Sequence, residues 1–297
     1  MKRRGIKLAI LGLSLTIGLG AFAGCSKGTD NAAPDKKELS GSITLSGSSA
    51  LLPLIEASAE PFQDENLDVT INAQAGGSGQ GLTQVSEGSV DVGNSDVFAE
   101  EKLDAAKAKE LVDHKVVAQG FAVVVNKNLN VSNLTKQQIQ DIFSGKAKNW
   151  KEVGGPDKEI IIVHRPSSSG TRATFIKTIL DGKKELENDQ IGVTQESNGA
   201  VVKAMENSDG AISYVGLSYL NSDEAKSKLS AVKIDGTEAT VENITTGKYP
   251  FWAWGHMYTK GEPNEIAKAF IDYITSDANK EVVEKQGYIS GAEMKVK

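Results

Sequence analysis

Four times along this chain a short run with strand character ends in glycine and hydroxyl residues where a helical period should begin. The junctions are Gly47-Ser-Ser-Ala50, Gly76-Gly-Ser-Gly79, Asn94-Ser-Asp96 and Arg165-Pro-Ser-Ser-Ser-Gly-Thr171. Residues 42–46 alternate as a half-buried strand does, and 50–60 follow with Pro53 placed for a first helical turn. Residues 67–73 and 90–92 read as further strands, and Leu82 and Val85 mark a short helix between them. Residues 116–125 are apolar enough for a central strand. Thr135 with Gln138 forms a capping box ahead of Ile139, Ile142 and Phe143, and Gly145 suits the stop. Residues 159–163 and 211–215 add buried strands, Phe175, Ile176, Ile179 and Leu180 a helix, and Ile266, Phe270, Ile271 and Ile274 a C-terminal helix. Repeated β-then-α units predict an α/β fold with mainly parallel sheets. Chemistry on such a fold belongs outside the carboxyl ends of the strands, where these four loops would lie.

Composition narrows the class. The chain has 297 residues, enough for one large or two modest domains at roughly 150 residues each. With 33 basic against 39 acidic residues its net charge is −6, which disfavours sequence-independent nucleic-acid binding through phosphate neutralisation. Cys25 stands alone, so an internal disulfide and a multi-cysteine zinc site are excluded. His114, His164 and His256 are scattered, and no metal or other cofactor is expected.

The N-terminus carries an address. Residues 1–7 are cationic and 8–23 form a 16-residue, mainly apolar run, a little short for a membrane span and fitting an export signal. The run ends in Phe22-Ala-Gly-Cys25, which resembles a bacterial lipobox, with Phe22 in place of the usual aliphatic residue. That likeness implies cleavage after residue 24, diacylation of the Cys25 thiol and stable anchoring without a spanning helix. Loss of Lys2, Arg3, Arg4 and Lys7 would leave 29 basic against 39 acidic residues, a net charge of −10. Residues 25–40 are polar and without apolar period, as a flexible tether would be, and the folded part should begin near Gly41.

Each Gly/Ser loop alone is a routine turn, Ser169 or Thr171 alone a helix cap, and Arg165 alone a surface ion pair. Together they describe an oxyanion site, because glycine admits a close approach, hydroxyls donate, and helix N-termini point free N–H groups at an anion.

These motifs, in this order, resemble the phosphate-binding proteins of the bacterial high-affinity phosphate ABC transporter. Ile142-Phe-Ser-Gly-Lys-Ala-Lys-Asn-Trp150 with Val153-Gly-Gly155 adds to a likeness that extends from Gly41 to Ala292. It implies a two-lobed, type II periplasmic-binding-protein-like fold: lobe one from 41–124 plus 250–297, lobe two from 125–249, hinges near 123–126 and 249–254. It further implies a phosphate site made of Ser49, Ala50, Ser78 and Asp96 from lobe one and Arg165, Ser169, Gly170 and Thr171 from lobe two. Ser49 and Ala50 would give N–H groups, the hydroxyls would donate, and Arg165 would make a charge-assisted contact. Many relatives have an acid two residues after that arginine; here the position is Ser167, so either another carboxylate holds Arg165 or its geometry is looser. The implied partners are inorganic phosphate, permease subunits of the transporter and the membrane through the lipid on Cys25. The protein would be a monomer on the outer side of the cell membrane.

Asp96 is the informative residue. An ionised carboxylate only accepts hydrogen bonds, so it repels a fully ionised anion. Phosphate near neutral pH still carries a P–O–H, whereas sulfate does not. A local alternative is that Asp96 caps the next segment.

The other readings are a secreted hydrolase that releases phosphate and a binder of another tetrahedral oxyanion such as sulfate. The chain lacks G-x-S-x-G, Walker A and H-E-x-x-H motifs, which argues against the commonest hydrolases. His164 reads as strand-end packing or a neighbour of the ligand, and Trp150, Trp252 and Trp254 as core or hinge residues or as a sugar platform.

Overall fold

A computed structural model of the protein describes residues 38–296. The expected export signal, Cys25 and the expected tether through residue 37 lie outside the described residues.

The first strand is Gly41–Gly47, with Ile43 and Leu45 buried. Helix Leu52–Glu65 carries a proline in its first turn and turns Leu54, Ile55, Ala59 and Phe62 inward. The chain returns as strand Val69–Ala75, parallel to the first strand. Helix Ser78–Ser86 then leads to Val92–Ser95, parallel to the first strand on its other side. Thus far the sheet is the parallel one the β-then-α alternation predicts.

Beyond it the sheet becomes mixed, which corrects the expectation of mainly parallel pairing. Strand Leu111–Asn126 is 16 residues long and antiparallel to every strand it pairs with, Tyr288–Ser290 and Leu229–Ala231 included. Residues 111–120 pair with strand Trp252–Lys260, and from Phe121 onward the partner is Ala211–Gly216. Trp252–Lys260 returns late in the chain and enters between Val92–Ser95 and the long strand, running against both. No crossover helix joins these partners directly, so nothing constrains them to run parallel. Ile161–His164 pairs parallel with Ala211–Gly216, and the short strand Val193–Thr194 pairs parallel beyond it.

Some boundaries also move. The 159–163 strand begins at Ile161, because the Ile160 amide bonds the Lys148 carbonyl and Glu159 bridges to Asn149. The capping box forms as the sequence predicts, with helix Lys136–Phe143 behind Thr135 and Gln138. Helix Gly170–Thr178 buries Phe175, and helix Glu265–Thr275 buries Phe270, Ile271 and Ile274.

Two large apolar clusters flank the change of strand partner. One unites Ile43, Leu54, Phe62, Val117 and Phe270; the other unites Phe143, Trp150, Phe175, Tyr214 and Phe251. In the second, Phe175 stacks on Tyr214 at 4.2 Å between centroids. These cores hold strands Gly41–Gly47, Val92–Ser95 and Ile161–His164 so that the loops after their carboxyl ends meet.

Candidate functional site

Asp96 follows directly on strand Val92–Ser95 and is buried. Its Oδ1 accepts from the Ser48 hydroxyl and from Gln119 Nε2 at 2.8 Å, and its Oδ2 accepts from Thr171 Oγ1 at 3.3 Å. Burial pushes the Asp96 carboxyl above the usual aspartate range; the hydrogen bonds of Ser48 and Gln119 and the charge of Arg165 oppose that shift. The Asp96 amide donates to Ser78 Oγ at 2.9 Å, leaving the Ser78 hydroxyl proton for another acceptor. Ser78 opens its helix behind Gly77, whose φ of +84° suits glycine.

The preceding loop divides its labour differently from expectation. Ser48 Oγ accepts from the Ala50 and Leu51 amides at 3.1 and 3.2 Å, tying down the turn that enters the first helix. The Ala50 N–H, expected to face a ligand, is therefore engaged by Ser48. Ser49 instead turns its hydroxyl across the cleft, where Arg165 Nη2 donates to it at 3.3 Å.

Arg165 leaves the end of strand Ile161–His164 and is 1% exposed. Among the described residues no carboxylate hydrogen-bonds it: its Nε donates to the Gln195 carbonyl at 3.0 Å and Nη2 to the Glu196 carbonyl at 3.1 Å. Nη1 is buried with no partner among the described residues. Burial lowers the guanidinium from its ordinary value, yet an arginine keeps its charge. Arg172 braces the same loop, donating to the Arg165 carbonyl at 2.6 Å while gripping Asp189 through both terminal nitrogens at 2.7 and 2.8 Å.

Ser169 caps helix Gly170–Thr178 by accepting from the Arg172 amide at 3.1 Å. The Gly170 and Thr171 amides find no acceptor among the described residues, as the first N–H groups of a helix do until a ligand supplies one. Gly170 has no room for a side chain: a Cβ there would stand 2.1 Å from Ser78 Oγ and 2.8 Å from Asp96 Oδ2. All eight residues singled out from the sequence are buried at one place, four on each side of the cleft.

Sequence reasoning missed Asn198 and Gln119. Asn198 is fully buried at the start of helix Asn198–Glu206. Its amide and Nδ2 donate to Ser49 Oγ at 3.1 and 2.9 Å, while its Oδ1 accepts from the Gly216 amide at 2.9 Å. The signal was a fifth Ser-Asn-Gly junction at 197–199, and for Gln119 a lone amide in an apolar strand.

The remaining candidates are engaged elsewhere. His164 faces Glu187 and the Ile191 carbonyl at 3.0 and 2.9 Å, which is strand-end packing. Trp150 is a core residue whose indole donates to the Gly210 carbonyl at 2.9 Å. Trp252 and Trp254 line, with Phe98 and His256, a cavity of about 360 Å³ that reaches Asp96.

Chemically the cleft offers free N–H and O–H donors, one unpaired guanidinium N–H group and one buried acceptor. That combination suits a tetrahedral oxyanion that still carries a proton.

Comparison with known proteins points the same way. The PBP superfamily domain matches residues 32–278. The phosphate-binding protein PstS of Bacillus subtilis is 49% identical over 271 residues, covering 91% of this chain and 87% of its own. PstS of Staphylococcus saprophyticus is 31% identical over 268 residues, covering 87% and 82%. Among solved structures, a Clostridium perfringens protein described as a phosphate ABC transporter substrate-binding protein with bound phosphate is 32% identical, with a TM-score of 0.76 over 84% of this chain and 99% of its own. An ABC-type phosphate transport receptor from Vibrio cholerae is 26% identical, with a TM-score of 0.64 over 83% and 99%.

Proposed function

The chain belongs to the PstS family of phosphate-binding proteins within the PBP superfamily, and from that premise we propose that it captures inorganic phosphate between two lobes and delivers it to an ABC transporter permease. The observation that carries the reading is Asp96, a buried carboxylate set among anion donors. A ligand bearing a P–O–H satisfies it, and a fully ionised anion meets an acceptor it cannot use. Arg165, with Nη1 unpaired, attracts the charge. Ser49, Ser78 and Ser169 supply hydroxyl protons, and Gly170 and Thr171 helix N–H groups, while the Thr171 hydroxyl donates to Asp96; Ala50 lines the wall, and Asn198 orients Ser49.

About eight such bonds at ~1.5–3 kcal/mol each give a gross strength well above the roughly 8 kcal/mol that micromolar binding needs. The surplus covers desolvation of the anion and closure. Lobe one would comprise 41–124 with 250–297 and lobe two 125–249, with hinges near the point where the long strand changes partner. The protein would act as a monomer without turnover, held on the outer face of the membrane by a lipid on Cys25.

Titration calorimetry on the full-length chain in detergent tests this: phosphate should bind at micromolar concentration or tighter, and equimolar sulfate should not compete. Equal displacement by sulfate, or steady release of phosphate from an added phosphate ester, would sink the reading. Mass spectrometry of the membrane-bound form should find a diacylated N-terminal Cys25.

A further inference from the structure

The two sides of the cleft are tied together at its rim by contacts outside the ligand set. The Ser168 carbonyl accepts the Gly79 amide at 2.9 Å. A Cβ on Gly77 or Gly79 would lie 3.1 or 3.3 Å from that oxygen, so glycine keeps this approach unobstructed. One residue earlier, the Ser167 carbonyl accepts Lys102 Nζ at 2.8 Å. Gly79 and Lys102 come from the half of the sheet built on Gly41–Gly47, whereas Ser167 and Ser168 lie on the loop after Ile161–His164. Two successive carbonyls of one loop are thus gripped from the opposite side.

Lys102 is an unusual donor for a rim. It stands just after the turn Ala99–Glu101 that follows Asp96, and its side chain is half-buried. Burial lowers its pKa; Glu101 beside it opposes that shift, while Lys184 and Arg172 across the rim add to it. A lysine free to choose would swing to water, away from those cations. Its ammonium is instead placed on the Ser167 carbonyl at 2.8 Å.

We propose that Lys102 is a positioning residue that sets how long phosphate stays bound, because its bond to the Ser167 carbonyl exists when the cleft is shut and must break before the cleft opens. The proposal rests on the reading of the cleft as a phosphate site. Lys102 acts through the loop that carries Ser169, Gly170 and Thr171 and does not touch the ligand. An interaction made on closure slows release more than capture.

Lys102→Met keeps the stem and removes the donor, and Lys102→Arg keeps a donor. In stopped-flow measurements on the full-length chain with inorganic phosphate, the Met variant should release phosphate about tenfold faster, equivalent to about 1.4 kcal/mol. Its association rate should stay within about twofold of the parent, as affinity changes of this kind reside in the off-rate. The Arg variant should recover most of the residence time. Unchanged release in the Met variant overturns the proposal, as does a defect confined to association and erased by salt, which would make Lys102 a steering charge. Small-angle scattering of the ligand-free chain supplies an arm that needs no phosphate. The Met variant should have a larger radius of gyration than the parent and the Arg variant, and equal radii overturn the clasp. Failure of the parent to bind phosphate would fell the functional reading alone, leaving the scattering arm to judge Lys102.

Discussion

The two walls of the cleft each bury one charge, and they hold it with different materials. Asp96 is surrounded by side-chain donors, from Ser48, Gln119 and Thr171. Arg165 is held by main-chain carbonyls of Gln195 and Glu196, with Nη1 left over. Burial acts on both, raising the acid and lowering the base. The consequences differ, because an aspartate can take up a proton while an arginine stays charged. Under the proposed function, the wall of Arg165 would attract any small anion and that of Asp96 would decide which anion remains.

The largest expected effect removes the attracting wall. Arg165→Ala deletes charge-assisted bonds worth ~1.5–3 kcal/mol each and should weaken phosphate binding by at least about 100-fold in calorimetry. A loss below about fivefold would move the attraction elsewhere.

Next comes the contact between the walls. Gly170→Ala would set a methyl against Ser78 and Asp96 and prop the cleft open. We expect phosphate affinity to fall by about 100-fold, at the upper end of ordinary overpacking penalties of ~1–3 kcal/mol, with the melting temperature of the free chain little changed.

Asp96→Asn separates selection from attraction. An Asn can accept from Ser48 and Gln119 through its oxygen and donate to Thr171 through its nitrogen, so the site keeps its shape. Phosphate binding should weaken by about tenfold, as loss of one charged hydrogen bond implies, and rejection of sulfate should erode. Unchanged affinity and selectivity would make Asp96 a mere cap.

The same variant tests the raised carboxyl in the ligand-free chain. A folded-state pKa above the unfolded one adds stability that is fully present below the unfolded value and lost as pH rises through the folded value. At neutral pH the ionised Asp96 is then a burden, and Asp96→Asn should melt higher than the parent. Each kcal/mol relieved corresponds to about 2–4 °C for a domain of this size. The gap should close as pH falls toward the ordinary aspartate range; a gap constant with pH contradicts the raised carboxyl.

The smallest effect concerns Asn198, which orients Ser49 and anchors the Gly216 amide. Asn198→Ala should weaken phosphate binding by about fivefold, the cost of one misplaced neutral hydrogen bond at ~1 kcal/mol.

Much of the α/β class was legible in the sequence, because period, caps and Gly/Ser junctions are local. Thr135 with Gln138, the buried run 116–125 and the Gly77-Ser78 helix start are settled by residues a few positions apart. The expectation of an export signal and of a lipid on Cys25 likewise rests on sequence alone. The direction of Trp252–Lys260 was not legible, since a strand returning from the far end of the chain can enter a sheet either way. Nor was the support of Arg165: main-chain carbonyls hold it, and every residue has one, so composition at Gln195 and Glu196 carries no trace of the role. Local patterning therefore marked the glycine and hydroxyl junctions as candidates for an anion site. Only the tertiary structure decided which hydroxyl faces Asp96, which amide orients Ser49 and what holds the arginine, because those contacts join residues from 30 to 149 positions apart.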